Sequence, residues 1–174
     1  NERCAMTENN DEQEPVVRPM RLAFCAIFVL IVLADQATKQ IMLDLIFDPP
    51  RRIEILAIFN LVPVWNRGMS FGMLAGGGAL VPIALTSLAI AVSAWLFWMV
   101  PRLHRVQRLA AACIAGGAIG NAIDRLRFGK VVDFIDLHYA GLHWPAFNLA
   151  DAAITIGAVL WGYSILREQE TSRI

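Results

Sequence analysis

The chain has 174 residues, a length suited to one domain, with 57% hydrophobic and only 17% charged residues and a formal net charge of zero. That is too apolar for a soluble domain of this size, and the balanced charge lacks the basic footprint of a nucleic-acid binder. Cys4, Cys25 and Cys113 show no short metal-type spacing. Cys25 and Cys113 fall in apolar segments as small buried hydrophobes do, so no disulfide framework is expected.

Residues 1–19 are polar and acid-rich, lack periodic apolar positions, and read as a disordered tail. Arg18 and Arg21 flank an apolar run that starts at Leu22 and continues through Asp35-Gln36-Ala37-Thr38-Lys39. Val32-Leu33-Ala34 loosely resembles a signal-peptide cleavage site. Long apolar segments recur downstream, however, which favours a first transmembrane helix at about 20–47. Pro49 and Pro50 break it. The stretch from Ile53 to Trp65 is rich in β-branched and aromatic residues and predicts a short extramembrane sheet, with Trp65 in the aromatic belt.

A second span, about 79–100, follows the Gly76-Gly77-Gly78 break and stops at Pro101. Arg102, His104, Arg105 and Arg108 then form a cationic loop without acids, which the positive-inside rule puts in the cytoplasm. The third span, about 109–126, is Ala- and Gly-rich. Gly116 and Gly120 give it a small-xxx-small face that permits close helix approach in lipid. Residues 127–145 read as a polar-to-aromatic loop, the fourth span runs from about 147 to 166, and 167–174 form a short tail. The expectation is an α-helical integral membrane protein: four transmembrane helices in one domain (20–166), a small β-platform on the outer side and both termini in the cytoplasm.

Three polar units sit at helical spacing. Asp35, Thr38 and Lys39 lie at i, i+3 and i+4, as do Asn121, Asp124 and Arg125, while Asn148 and Asp151 lie at i and i+3. All fall toward the outer ends of their spans, where ionisable groups usually face a protein interior and mark function. Bland readings exist for most of them. Asp35 and Lys39 make an intrahelical ion pair, Asp124 beside Arg125 a scaffolding carboxylate, and Asn148 with Asp151 a helix cap. Asp133, alone in Val131-Val132-Asp133-Phe134-Ile135, has only Lys130 as a cationic neighbour. Asp133 and Asp151 are therefore the candidate aspartyl dyad, one proton shared between them, with Asp124–Asp151 as the rival pair. Ser70, Ser87 and Ser93 lack a nucleophile-elbow context, and His138 and His143 lack a zinc-protease motif, so no metal or other cofactor is expected.

Four ordered motifs resemble those of the signal peptidase II (lipoprotein signal peptidase) family: Asp35-Gln36-Ala37-Thr38-Lys39; Asn66-Arg67-Gly68-Met69-Ser70-Phe71-Gly72; Gly116 to Arg125 continuing through Gly129 to Asp133-Phe134; and Pro145-Ala146-Phe147-Asn148-Leu149-Ala150-Asp151. The resemblance spans about Leu22 to Leu166. It implies a bacterial inner-membrane aspartyl endopeptidase that cleaves diacylglyceryl-modified prolipoproteins just before the lipid-modified cysteine, with Asp133 and Asp151 as the catalytic pair. Asp35, Lys39, Asn66, Gly68, Asn121, Asp124, Arg125 and Asn148 match positions that support the pair or bind substrate. The implied partners are the lipid-modified prolipoprotein and membrane lipid, with no nucleic acid, and the expected state is a monomer. The residues alone also admit a small transporter or proton-relay subunit, or a non-catalytic membrane scaffold.

Overall fold

The computed structural model describes residues 14–68 and 80–171. The elements in order are α1 (Glu14–Ile46), β1 (Ile53–Leu56), β2 (Phe59–Asn66), α2 (Leu80–Met99), a 3-10 turn (Val100–Arg102), α3 (Arg105–Phe128), β3 (Val131–Tyr139), β4 (Leu142–His143) and α4 (Leu149–Thr171). Residues 1–13, the glycine break at 76–78 and residues 69–72 of the second motif lie outside the described residues.

All four α-helices are long and apolar enough to cross a membrane. Large apolar side chains such as Leu30, Leu33, Ile83, Leu88 and Val159 are exposed along α1, α2 and α4, as lipid-facing residues are. The chain is thus an α-helical membrane protein with a small antiparallel sheet.

Three boundaries differ from expectation. The segment 14–19, expected in the tail, is already helical and α1 runs through Pro19. The cationic loop is partly helix, because His104 and Gln107 form a capping box (His104 N–H to Gln107 Oε1, 3.2 Å) that places Arg105 and Arg108 in the first turn of α3. Residues 131–139, expected in a loop, form β3 in the middle of the platform. Its first four residues are buried whichever way they point, so the alternation that marks a half-exposed strand is missing.

The sheet order is β1-β2-β3-β4, every pair antiparallel. Between Leu61↔Ile135 and Val64↔Asp133 the register slips by one residue, a bulge that takes up Pro63, whose missing N–H cannot serve an inner ladder. Ile46, Val132 and Phe134 form the core beneath the sheet. A second core, with Phe24, Leu96, Val100 and Ala115, fills the other end of the bundle.

The central helix is α3, packed against the other three. Small residues make that possible. A Cβ on Gly116 would meet Ile31 of α1 at 3.0 Å, and one on Gly117 would run into the Ala150 carbonyl oxygen at the start of α4. Since lipid is as apolar as leucine, such close backbone packing carries much of the association between membrane helices. Gly117→Val should therefore cost about 1–3 kcal/mol through overpacking. A lowered thermal unfolding midpoint in detergent would register it; an unchanged midpoint would mean that α3 and α4 are not held by this contact.

Candidate active site

The polar residues of three helices and one strand meet at the sheet end of the bundle. The Lys39 ammonium, 2% exposed, lies 2.9 Å from Asp35 Oδ2, 3.0 Å from Asp124 Oδ2 and 2.9 Å from Asn121 Oδ1. Its three protons thus meet three acceptors. Asp35 Oδ1 accepts the Ala150 N–H at 2.9 Å, tying α1 to the first turn of α4. Gly120 leaves room for this: a Cβ there would stand 2.6 Å from Asp35 Oδ2. Asp124 accepts the Val132 N–H at 3.0 Å and so anchors β3 to α3. Its direct cationic partner is Lys39 of α1 rather than the neighbouring Arg125. With both oxygens engaged, it has the environment of a scaffolding carboxylate.

Gln36, beside Asp35 in the first motif, was not singled out from sequence. Its Nε2 lies within 3.1 Å of Gly120 O and of Asp124 Oδ1, and 3.2 Å from Asp35 Oδ2. A polar residue one step from Asp35, just past the apolar run Leu22 to Ala34, was the available signal.

The start of α4 builds the second half. Asn148 Oδ1 accepts the Asp151 N–H at 3.0 Å, and Asp151 Oδ2 accepts the Asn148 N–H at 3.2 Å, a reciprocal cap of the kind the i, i+3 spacing suggests. The second Asp151 oxygen accepts Asn121 Nδ2 at 2.7 Å. Phe147 sits next to the cap and is pinned to β3: its N–H donates to Ile135 O (3.1 Å), and its carbonyl accepts the Phe134 and Ile135 N–H groups (3.1 and 2.8 Å). That bridge carries Asn148 to Asp133, whose Oδ1 accepts Asn148 Nδ2 at 2.7 Å. Asn148 therefore touches both carboxylates of the candidate dyad, through its side chain to one and its backbone to the other.

Asp133 is fully buried on β3, and its Oδ2 has no hydrogen-bond partner among the described residues. Burial pushes its carboxyl from the ordinary 3.8 up to about 6. The negative charge of Asp151 adds to the rise, while the Asn66 and Asn148 amides and the Lys39 charge oppose it. Asn66 is aimed by a local turn, its Oδ1 accepting the Gly68 N–H at 2.7 Å with Gly68 at φ 83°. Arg125 is half-buried and within electrostatic range of Asp151, Asp124 and Asp133. All ten sequence-selected residues thus belong to one network or border it.

A smaller polar unit lies farther along β3 and was missed in sequence. Asp136 accepts Asn60 Nδ2 and pairs with His143 Nδ1, both at 2.8 Å. Desolvation alone would raise the Asp136 carboxyl, but the bonds from Asn60 and His143 outweigh it and hold the group below its ordinary value. Asn60↔Asp136 and His138↔His143 are cross-strand pairs, so strand register was needed to find them.

The family model described as signal peptidase (SPase) II matches residues 27–167. The chain belongs to the signal peptidase II family. A lipoprotein signal peptidase of Paraburkholderia phymatum is 45% identical over 148 residues, covering 83% of this chain and 88% of its own. One from Burkholderia thailandensis is 43% identical over 150 residues, covering 84% and 89%. Two solved bacterial membrane enzymes share the fold. One has a TM-score of 0.73 at 28% identity, covering 86% of this chain and 90% of its own; the other has 0.70 at 29%, covering 83% and 92%. The chain is accordingly a membrane-embedded hydrolase of the signal peptidase II type.

The raised Asp133 pKa carries a stability consequence. The folded value lies above the unfolded one, so the protonated group contributes stability that is present at low pH and lost as pH rises through about 6. Asp133→Asn removes that dependence. The variant should match wild type near pH ~4 and exceed it by up to about 3 kcal/mol near pH ~8. Chemical unfolding across that range would detect the divergence, and a constant offset would contradict the buried ionisation.

Proposed function

We propose that this chain is an aspartic endopeptidase that removes the signal peptide from diacylglyceryl-modified prolipoproteins, cutting just before the lipid-modified cysteine. The observation that carries the reading is Asn148 holding Asp133 and Asp151 together at the end of a membrane helix bundle. The family membership and the named activity of the relatives support the substrate. A diacylated substrate stays in the bilayer, so the carboxylates must meet it at the membrane.

In the proposed reaction one carboxylate takes a proton from water, and the resulting hydroxide attacks the scissile carbonyl carbon. The other, protonated, carboxyl gives its proton to the carbonyl oxygen, forming a neutral diol. Collapse breaks the C–N bond. The proton taken from water goes to the leaving amine, and one diol proton returns to the second carboxylate, so the peptide and one water become an acid and an amine. Asn66, Gly68, Asn121, Asn148 and Arg125 support the pair or meet the substrate backbone. Asp35, Lys39 and Asp124 form the scaffold behind them.

We further infer an inner-membrane location with the active site at the outer face and both termini in the cytoplasm. Arg21 (over Phe97, 5.4 Å), Arg102, Arg105 and Arg108 (to Leu103 O, 2.6 Å) gather at the bundle end opposite the carboxylates, which supports that orientation.

Cleavage of a diacylglyceryl-modified prolipoprotein by purified variants tests the proposal. Asp133→Asn and Asp151→Asn should each lose at least about 10²–10⁴-fold in turnover, the range of a general acid or base, while remaining folded. Asp124→Asn should lose stability first and keep measurable turnover. Normal turnover by Asp133→Asn would rule out the pair and move Asp124 into its place.

A further inference from the structure

We infer that the two carboxylates are not interchangeable: Asp151 is the ionised base, the shared proton sits on Asp133 Oδ2, and Asn121, locked in one amide orientation by Lys39, is the positioning residue that imposes this order. The inference rests on the peptidase reading for its catalytic meaning, but its geometry stands apart from it.

A side-chain amide can in principle present either end. Here Asn121 Oδ1 faces two donors, the Lys39 ammonium at 2.9 Å and Asn148 Nδ2 at 3.1 Å. An ammonium has no acceptor, so only oxygen can face it. The other end of Asn121 is therefore a donor, and it points at Asp151 Oδ1 at 2.7 Å. Asp151 Oδ2 faces the Asn148 N–H. Both oxygens thus face N–H donors, in the first turn of α4, where the helix dipole favours negative charge. A proton on either oxygen would confront a donor and forfeit a bond.

Asp133 differs at each point. It accepts Asn148 Nδ2 on Oδ1, has the Asn66 amide nearby as a second donor, keeps Oδ2 without a hydrogen bond among the described residues, and lies on a strand with no helix dipole behind it. Among the described residues, Oδ2 is the oxygen of the pair that holds no hydrogen bond, so a proton there displaces none. The rise of its carboxyl to about 6 agrees.

The charged and titratable groups facing the pair are Lys39 and Asp35 from α1, and Asp124 and Arg125 from α3, with the Asn66 amide from β2. Lys39 is held by Asp35 and Asp124, so it orients Asn121 without touching either member of the pair. In the reaction, Asp151 then accepts the proton from water, and Asp133 Oδ2–H gives its own to the carbonyl oxygen.

Two measurements on the purified full chain test this. In infrared spectra near pH ~5, the C=O stretch of a protonated carboxyl should be present in wild type and in Asp151→Asn and lost in Asp133→Asn; the reverse pattern overturns the order. In the pH profile of kcat/KM, the acid limb reports the pair taking up a second proton. Asn121→Ala removes one hydrogen bond to the pair's negative charge, so the limb should move up by about one pH unit, the equivalent of one charge-assisted bond. A uniform loss of kcat with an unmoved limb would mean that Asn121 is only structural, and would overturn its positioning role. If wild type cleaves no prolipoprotein, the peptidase reading fails, while the infrared pattern still decides where the proton sits.

Discussion

A single ammonium organises the polar end of this bundle. Lys39 is charged, almost fully enclosed and near the end of a membrane span, a position that is expensive unless every proton finds an acceptor. Asp35 comes from its own helix, and Asp124 and Asn121 come from α3. Each acceptor is tied to something else: Asp35 to Ala150 of α4, Asp124 to Val132 of β3, Asn121 to Asp151. One buried charge therefore fixes the mutual positions of three helices and a strand. Removing one partner would leave charges without compensation at a depth where water cannot restore it.

Such a network needs the helices to approach closely, and here polar and steric requirements meet. Gly117 and Gly120 lie on α3 beside Asn121 and Asp124. The first admits the Ala150 carbonyl, the second the Asp35 carboxylate. Methyl groups at these positions would separate α1 and α4 from α3 and lengthen the hydrogen bonds on which the charges depend. The glycines that pack the membrane helices are also those that let the ion cluster close.

Legibility in the sequence followed from periodicity. Asp35 with Lys39, Asn121 with Asp124, and Asn148 with Asp151 each stand three or four residues apart, so shared faces could be read directly. The four spans were equally plain from length and apolar composition. The strand carrying Asp133 was not: Val131 to Phe134 are buried on every side, and an apolar run of that kind carries no period to separate strand from loop. The true partner of Asp124 was also hidden. Arg125 is its neighbour in sequence, while Lys39, from a helix about eighty residues earlier, is its neighbour in space. Gln36 and the Asp136–His143 pair depend on tertiary contacts and register and leave only faint marks in the chain.

The proposed division of labour between a strand-borne and a helix-borne carboxylate has a further physical meaning. Two acids on one helix would share one dipole and similar exposure, so neither would be favoured as the proton's host. Placing one on β3 and the other at the N-terminus of α4 gives them different fields. The Phe147–Ile135 bridge then holds the two elements in register. Asymmetry and proximity thus come from separate features, the first from what each carboxylate's own element offers and the second from three backbone hydrogen bonds. A pair built this way would keep its proton in a defined place while Asn148 stays bonded to both carboxylates.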